Sequence, residues 1–127
     1  MSVAYIDTHV AVYLHDGLTE ELSNDVKRQI EANDLLLSPM ALLELDYLFR
    51  RKKIGVGAEA MFATLNASFG VALCQYPLAQ VAHEALSIAW TMDPFDRLIV
   101  AQASANHGAM LITRDRLIRR NYSNAVW

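Results

Sequence analysis

Cysteine is nearly absent from this chain: Cys74 is the only one in 127 residues, so no internal disulfide can form. That suits a reducing compartment, and the expectation is a cytoplasmic protein. Cys74 lies in an apolar run and reads as a small core residue rather than a nucleophile. No uninterrupted apolar stretch approaches the ~20 residues of a membrane-spanning helix. The N-terminus also lacks the basic-then-apolar pattern of a secretion signal, so no membrane association is expected. No lysine follows Lys53. A Gly-rich phosphate loop, a Ser/His/Asp arrangement and the His/Cys spacing of a zinc site are all missing. His15, His83 and His107 are scattered, and only His9, just after Asp7, falls near a candidate site. With no repeat, linker or low-complexity segment, residues 1–127 read as one domain.

Against those absences stands a high apolar content, 54%, with 20% charged residues, which predicts a globular protein with a real core. Several helices carry more apolar residues than one small core needs, which predicts self-association or a bound partner. The net charge of -3 argues against indiscriminate nucleic-acid binding. Its distribution qualifies that: every basic residue except Lys27 and Arg28 lies close in sequence to Glu44, Asp96 or Asp115.

Short apolar, β-prone blocks alternate with helical periodicity along the chain. Val3–Ile6 reads as a buried strand stopped by Asp7, and a helix begins at Thr8-His9 and closes near Gly17. Thr19 is placed as the cap of a helix carrying Leu22, Val26 and Ile30. Leu35–Leu37 is a second strand, and Ser38-Pro39 opens a helix running to about Lys53. After Gly55 and Gly57 a helix carries Met61, Phe62, Leu65 and Phe69. Val71–Cys74 is a weaker third strand, followed by a helix from Pro77 that contains Val81 to Ala89. The next helix runs from Asp93 to about His107, Met110–Ile112 is a fourth strand, and Arg116–Arg120 a short helix. Tyr122–Trp127 ends the chain as an edge strand. This alternation predicts an α/β fold with a mostly parallel sheet of four to five strands, covered on both faces.

In such a sheet the C-terminal strand ends share one edge, where sites form. Asp7 and Asp115 follow strands directly and belong there. Glu44 is the oddest acid: Met40, Ala41, Tyr47 and Leu48 surround it on its helix, so its carboxylate points into the protein or a cleft and requires a partner. Asp96 falls in the first turn of a helix capped by Asp93, with Pro94 at the first position, so a plain capping role is open to both. Acids converging without equal numbers of bases repel one another, and a hard cation such as Mg²⁺ or Mn²⁺ is the usual missing partner. Carboxylate-held Mg²⁺ typically meets phosphate, which makes phosphodiester cleavage the most economical hydrolase reading. Arg50, Arg51, Arg97, Arg114 and Arg116 are candidates for holding the remaining phosphates.

These residues carry a family resemblance. Ile6-Asp7-Thr8-His9, the Pro39-to-Glu44 helix, the segment Asp93-Pro94-Phe95-Asp96-Arg97 with its continuation to Ala103, and Leu111-Ile112-Thr113-Arg114-Asp115 together resemble a PIN domain of the VapC toxin type. The resemblance implies a three-layer α/β/α fold and a Mg²⁺- or Mn²⁺-dependent endoribonuclease, inhibited by a small antitoxin and often homodimeric. By motif position it places Asp7, Glu44, Asp96 and Asp115 as the acidic quartet that holds metal, with Asp93, Thr113 and Thr8 supporting it from behind. Three alternatives remain open. A phosphoacceptor receiver domain is similar in size but needs a late lysine, which this chain lacks. A binding module could use its acids as caps, which Glu44 does not fit. A structure-specific DNA nuclease of the same fold would need an extra DNA-binding element.

Overall fold

In a computed structural model, which describes residues 2–127, the strands form a single sheet. Its strands are β1 (Val3–Ile6), β2 (Asp34–Leu37), β3 (Ala72–Leu73), β4 (Met110–Ile112) and β5 (Ala125–Val126). The spatial order is β3-β2-β1-β4-β5, and every pairing is parallel. The sheet is thus wholly parallel, with five strands among the described residues, and the expected α/β class holds.

The helices are α1 (Thr8–Asp16), α2 (Asn24–Ala32), α3 (Pro39–Arg50), α4 (Ala58–Phe69), α5 (Leu78–Ala85), α6 (Pro94–Ala105) and α7 (Arg116–Asn121). Consecutive residues of β1, from Ala4 through Ile6, are all buried, so helices must cover both faces. Ile6, Leu37, Leu111 and Ile112 are fully buried at the sheet's centre. Each contributes about 1.5–3 kcal/mol by leaving water.

Chain direction makes a site here. From β1 the chain steps outward to β2 and β3, then returns across the sheet to pair β4 with the other side of β1. The strand order therefore reverses between β1 and β4, and a crevice opens beyond their carboxyl ends. Tyr5 pairs with both Leu36 and Leu111, and Asp7 N–H still donates to Ile112 C=O at 2.9 Å, so the ladder runs right up to the crevice.

Helix boundaries depart from the expectations in a few places, each for a local reason. Thr19 does not cap α2: Thr19–Glu21 forms a 3₁₀ turn, Leu22 is extended and buried, and Ser23 caps instead, its Oγ accepting from Val26 N–H at 3.1 Å. α3 stops at Arg50 rather than Lys53, because Lys52 turns left-handed (φ 58°) and Lys53 N–H bonds back to Leu48 C=O. α5 ends at Ala85, after which Ser87 and Ile88 tighten into i→i+3 turns. α6 stops at Ala105, short of His107, itself left-handed at φ 56°. The third strand shrinks to Ala72–Leu73.

Two buried polar contacts tie the layers together. Tyr5 Oη and Cys74 Sγ lie 3.0 Å apart, and the tyrosine also accepts from Asn106 Nδ2, which fixes Cys74 as a core residue. Ser38 Oγ accepts from Met40 N–H at 3.1 Å and donates to Gln102 Oε1 at 2.9 Å, joining the start of α3 to α6. Ser38→Ala removes a cap and leaves a buried acceptor unmet, so it should cost about 1–3 kcal/mol in urea unfolding. A loss below about 0.5 kcal/mol would show that the two helices are held together by apolar packing alone.

Candidate functional site

The carboxyl ends of β1 and β4 deliver Asp7 and Asp115, and both cap the helix that follows. Asp7 Oδ1 accepts from Thr8 N–H at 2.8 Å, and Asp115 Oδ1 accepts from Ile118 N–H at 2.9 Å. Thr113 joins them: its hydroxyl donates to Asp7 Oδ2 at 2.6 Å and accepts from Asp115 N–H at 3.1 Å. Asp7 is buried while Asp115 is exposed, so the pair spans the crevice from floor to rim. With His9, Tyr13 and Arg114 they line a cleft of about 310 Å³.

Glu44 reaches the same place from α3, where Thr8 Oγ1 donates to its Oε1 at 2.5 Å. Thr8 thus places its own backbone N–H on Asp7 and its hydroxyl on Glu44. Asp93 caps α6, its Oδ1 accepting from Phe95 and Asp96 N–H at 2.8 and 3.2 Å. Asp96 itself sits half-buried in the first turn, and no described residue donates a hydrogen bond to its carboxylate.

The electrostatics register this crowding. Burial pushes the Asp96 carboxyl up to about 7, helped by the charges of Asp93, Asp7, Asp115 and Glu44 in that order. Burial also raises Asp7, against the pull of its Thr113 and Thr8 bonds. It raises Glu44 too, opposed by the Thr8 bond and reinforced by the Asp7 charge. The quartet expected from the sequence, with Asp93 beside it, is therefore one electrostatic unit. Among the described residues no three acidic, histidine or cysteine side chains already enclose an ion position, and of the acids only Asp7 and Asp115 line the cleft itself.

The candidate phosphate-holding arginines separate into distinct settings. Arg114 Nη1 donates to Tyr13 Oη at 2.9 Å and to Glu21 at 3.3 Å, on the cleft wall. Arg51 Nη1 donates to Tyr47 Oη at 2.9 Å. Arg50 is engaged by Asp46 at 2.8 Å, and Arg116 is exposed on α7. Arg97 turns away from the rim: its Nη2 donates to the Ala85 carbonyl at the end of α5, and its Nε is buried without a partner. Arg97 is thus a clamp between α5 and α6 rather than a free phosphate contact. A larger apolar groove of about 680 Å³, lined in part by Leu42, Leu43 and Phe49, lies along α3 and α4 and brings together none of the cleft's acids.

An all-parallel α/β/α sheet with an acidic cleft at its switch point defines the class of domain. A family model described as the PIN domain matches residues 4–123, and the chain belongs to that family. PIN domains form a nuclease family, so membership supports hydrolysis of nucleic acid as the activity of this chain. No curated protein matches the sequence. The fold is shared with solved structures of toxin–antitoxin complexes. VapBC2 from Rickettsia felis, bound to a promoter DNA fragment, matches at 17% identity and TM-score 0.68, over 98% of this chain and 96% of that one. DNA-bound VapBC from Salmonella typhimurium matches at 16% and 0.65, over 98% and 96%. VapBC-1 from nontypeable Haemophilus influenzae matches at 18% and 0.64, again over 98% and 96%.

An acid whose folded pKa is raised weakens the fold as pH climbs. Both states are protonated below about 4, and above about 7 the folded state carries the full repulsion. Metal-free protein should therefore lose stability between pH 4 and 7. Asp96→Asn should flatten part of that loss, gaining on the order of 1–2 kcal/mol at pH 8 after allowing for solvent screening. Thermal unfolding in EDTA across this range measures it. A variant that is less stable than the parent at pH 8 would make Asp96 a helix-dipole residue instead.

Proposed function

We propose that this PIN domain is a Mg²⁺- or Mn²⁺-dependent endoribonuclease and the toxin of a toxin–antitoxin pair. The observation that carries the reading is Asp96: a half-buried carboxylate with no hydrogen-bond donor among the described residues, held among Asp93, Asp7, Asp115 and Glu44 and pushed up to about 7 by burial first and by those charges second. A cation beside a group so placed would favour its charged form. The donors are oxygens, without a cluster of histidine or cysteine, which fits a hard divalent ion. Asp7, Glu44, Asp96 and Asp115 are the residues that would hold it.

Such an ion, when bound, lowers the pKa of water and offsets charge building on a phosphodiester. The chain's own residues do the rest. Thr113 keeps Asp7 oriented by donating to its Oδ2. Thr8 holds Glu44 from the other side. Arg114 and Arg51 are the candidates for holding flanking phosphates. A small antitoxin and a second copy are the expected protein partners. The exposed apolar side chains Leu43, Phe49, Leu78, Leu86 and Met92 are suited to such contacts, and the VapBC likeness supports the pairing.

Purified protein should cut RNA with Mg²⁺ or Mn²⁺ and stop in excess EDTA. Asp96→Asn and Glu44→Gln should each lower the rate by on the order of a hundredfold or more, since each removes a charged oxygen donor from the site. Gel analysis of labelled RNA reads both. Undiminished cleavage in chelator, or full activity in Asp96→Asn, would overturn the metal-dependent reading. Cleavage of DNA but not RNA would transfer the assignment to a DNA nuclease.

A further inference from the structure

Two tyrosine–arginine pairs stand on different helices that carry or adjoin the acids, α1 and α3. The first helix presents Tyr13, one wall of the cleft that Asp7 and Asp115 line, with Arg114 bonded to its hydroxyl at 2.9 Å. The second presents Tyr47, one turn beyond Glu44, with Arg51 bonded to its hydroxyl at the same 2.9 Å. Each tyrosine is buttressed by a second aromatic ring. Trp127 lies 6.2 Å from Tyr13, tilted by 48°, and Phe95, between Asp93 and Asp96, lies 5.9 Å from Tyr47, tilted by 42°.

Tyr13 is partly buried against the core, but the core accounts neither for its bond to Arg114 nor for Tyr47. Tyr47 is 46% exposed, and Arg51 lies 5.6 Å from its ring centroid, a stack left open to solvent. Arg114 and Arg51 are both exposed, and among the described residues neither forms an ion pair with an acid of the cleft; the one acid there bonded to either is Glu21, on Arg114. An arginine held by a tyrosine hydroxyl keeps donors free for phosphate, and the tyrosine supplies a flat face for a base. A duplex hides its base faces, so such a surface suits unpaired nucleotides.

We infer that Tyr13 with Arg114 and Tyr47 with Arg51 form two nucleotide-binding subsites, one on each side of the scissile phosphate. The strand crosses the acids from one pair to the other, each tyrosine stacking a base and each arginine holding a phosphate. The substrate is therefore an RNA segment unpaired on both sides of the cut. This rests on the nuclease reading above and adds which residues grip the strand.

Steady-state cleavage of a labelled 12-nucleotide RNA with a mapped cut site tests it, beside the same strand annealed to its complement. Tyr13→Leu and Tyr47→Leu should each raise KM roughly tenfold, about the value of one lost base stack, and lower kcat much less. Tyr13→Phe and Tyr47→Phe keep the ring and should stay within about threefold of the parent. Abasic nucleotides flanking the cut should raise KM by a similar factor in the unmodified protein, a reading that survives if a Leu variant fails to fold. The same abasic change should cost the matching Leu variant little more. Unchanged KM in the Leu variants and on abasic RNA, or equal cleavage of the duplex, would overturn the subsites while leaving the nuclease intact. Leu variants that alter only self-association would assign these faces to a protein interface instead. Absence of any divalent-dependent RNA cleavage would remove both readings together.

Discussion

The pairing of β1 with β4 is the contact on which the rest depends. It joins strands from the two ends of the chain, and the Thr113–Asp7 hydrogen bond closes a separation of 106 residues. Closing so long a loop costs entropy that local contacts cannot recover. Here the recovery comes from the buried faces of Ile6, Leu111 and Ile112, and it ends at the line where the acids begin. Apolar burial on one side of that line holds carboxylates together on the other. Without the β1–β4 ladder Asp7 and Asp115 would have no reason to meet.

That arrangement is stressed by design of the site. Asp7, Glu44 and Asp96 all have carboxyls raised by burial and by neighbouring acids, so in the metal-free protein each works against the fold. Thr8 and Thr113 recover part of this by donating hydrogen bonds to two of the three. Asp96 receives no such help. The local consistency that marks the strands and caps fails at this one place, where a binding partner would restore it.

Much of this was legible in the residues. The strands announce themselves because a parallel sheet covered on both faces needs unbroken apolar blocks, and β1, β2 and β4 are such blocks. Glu44 stood out because its helical neighbours are apolar, which left its charge nowhere ordinary to go. Helix ends were harder. Thr19 and Ser23 are both competent caps, and only the burial of Leu22 between them decides in favour of Ser23. The arginines were harder still: Arg97 carries the same charge as Arg114, but its position on α6 turns it toward the α5 carbonyl. Tyr13 and Tyr47 gave no signal, because aromatic residues at helical spacing read as core. Only the three-dimensional pairing with Arg114 and Arg51 separates them from it.

The direction of the outer strands has a practical side. All strands run the same way, so β1 enters at the edge far from the acids while β5 exits at the near one. Trp127 then packs against Tyr13 on the cleft wall. A purification tag or fluorescent fusion joined ahead of Val3 leaves from the remote side of the molecule. The same addition joined to Trp127 emerges at the mouth of the cleft, where it would crowd whatever enters.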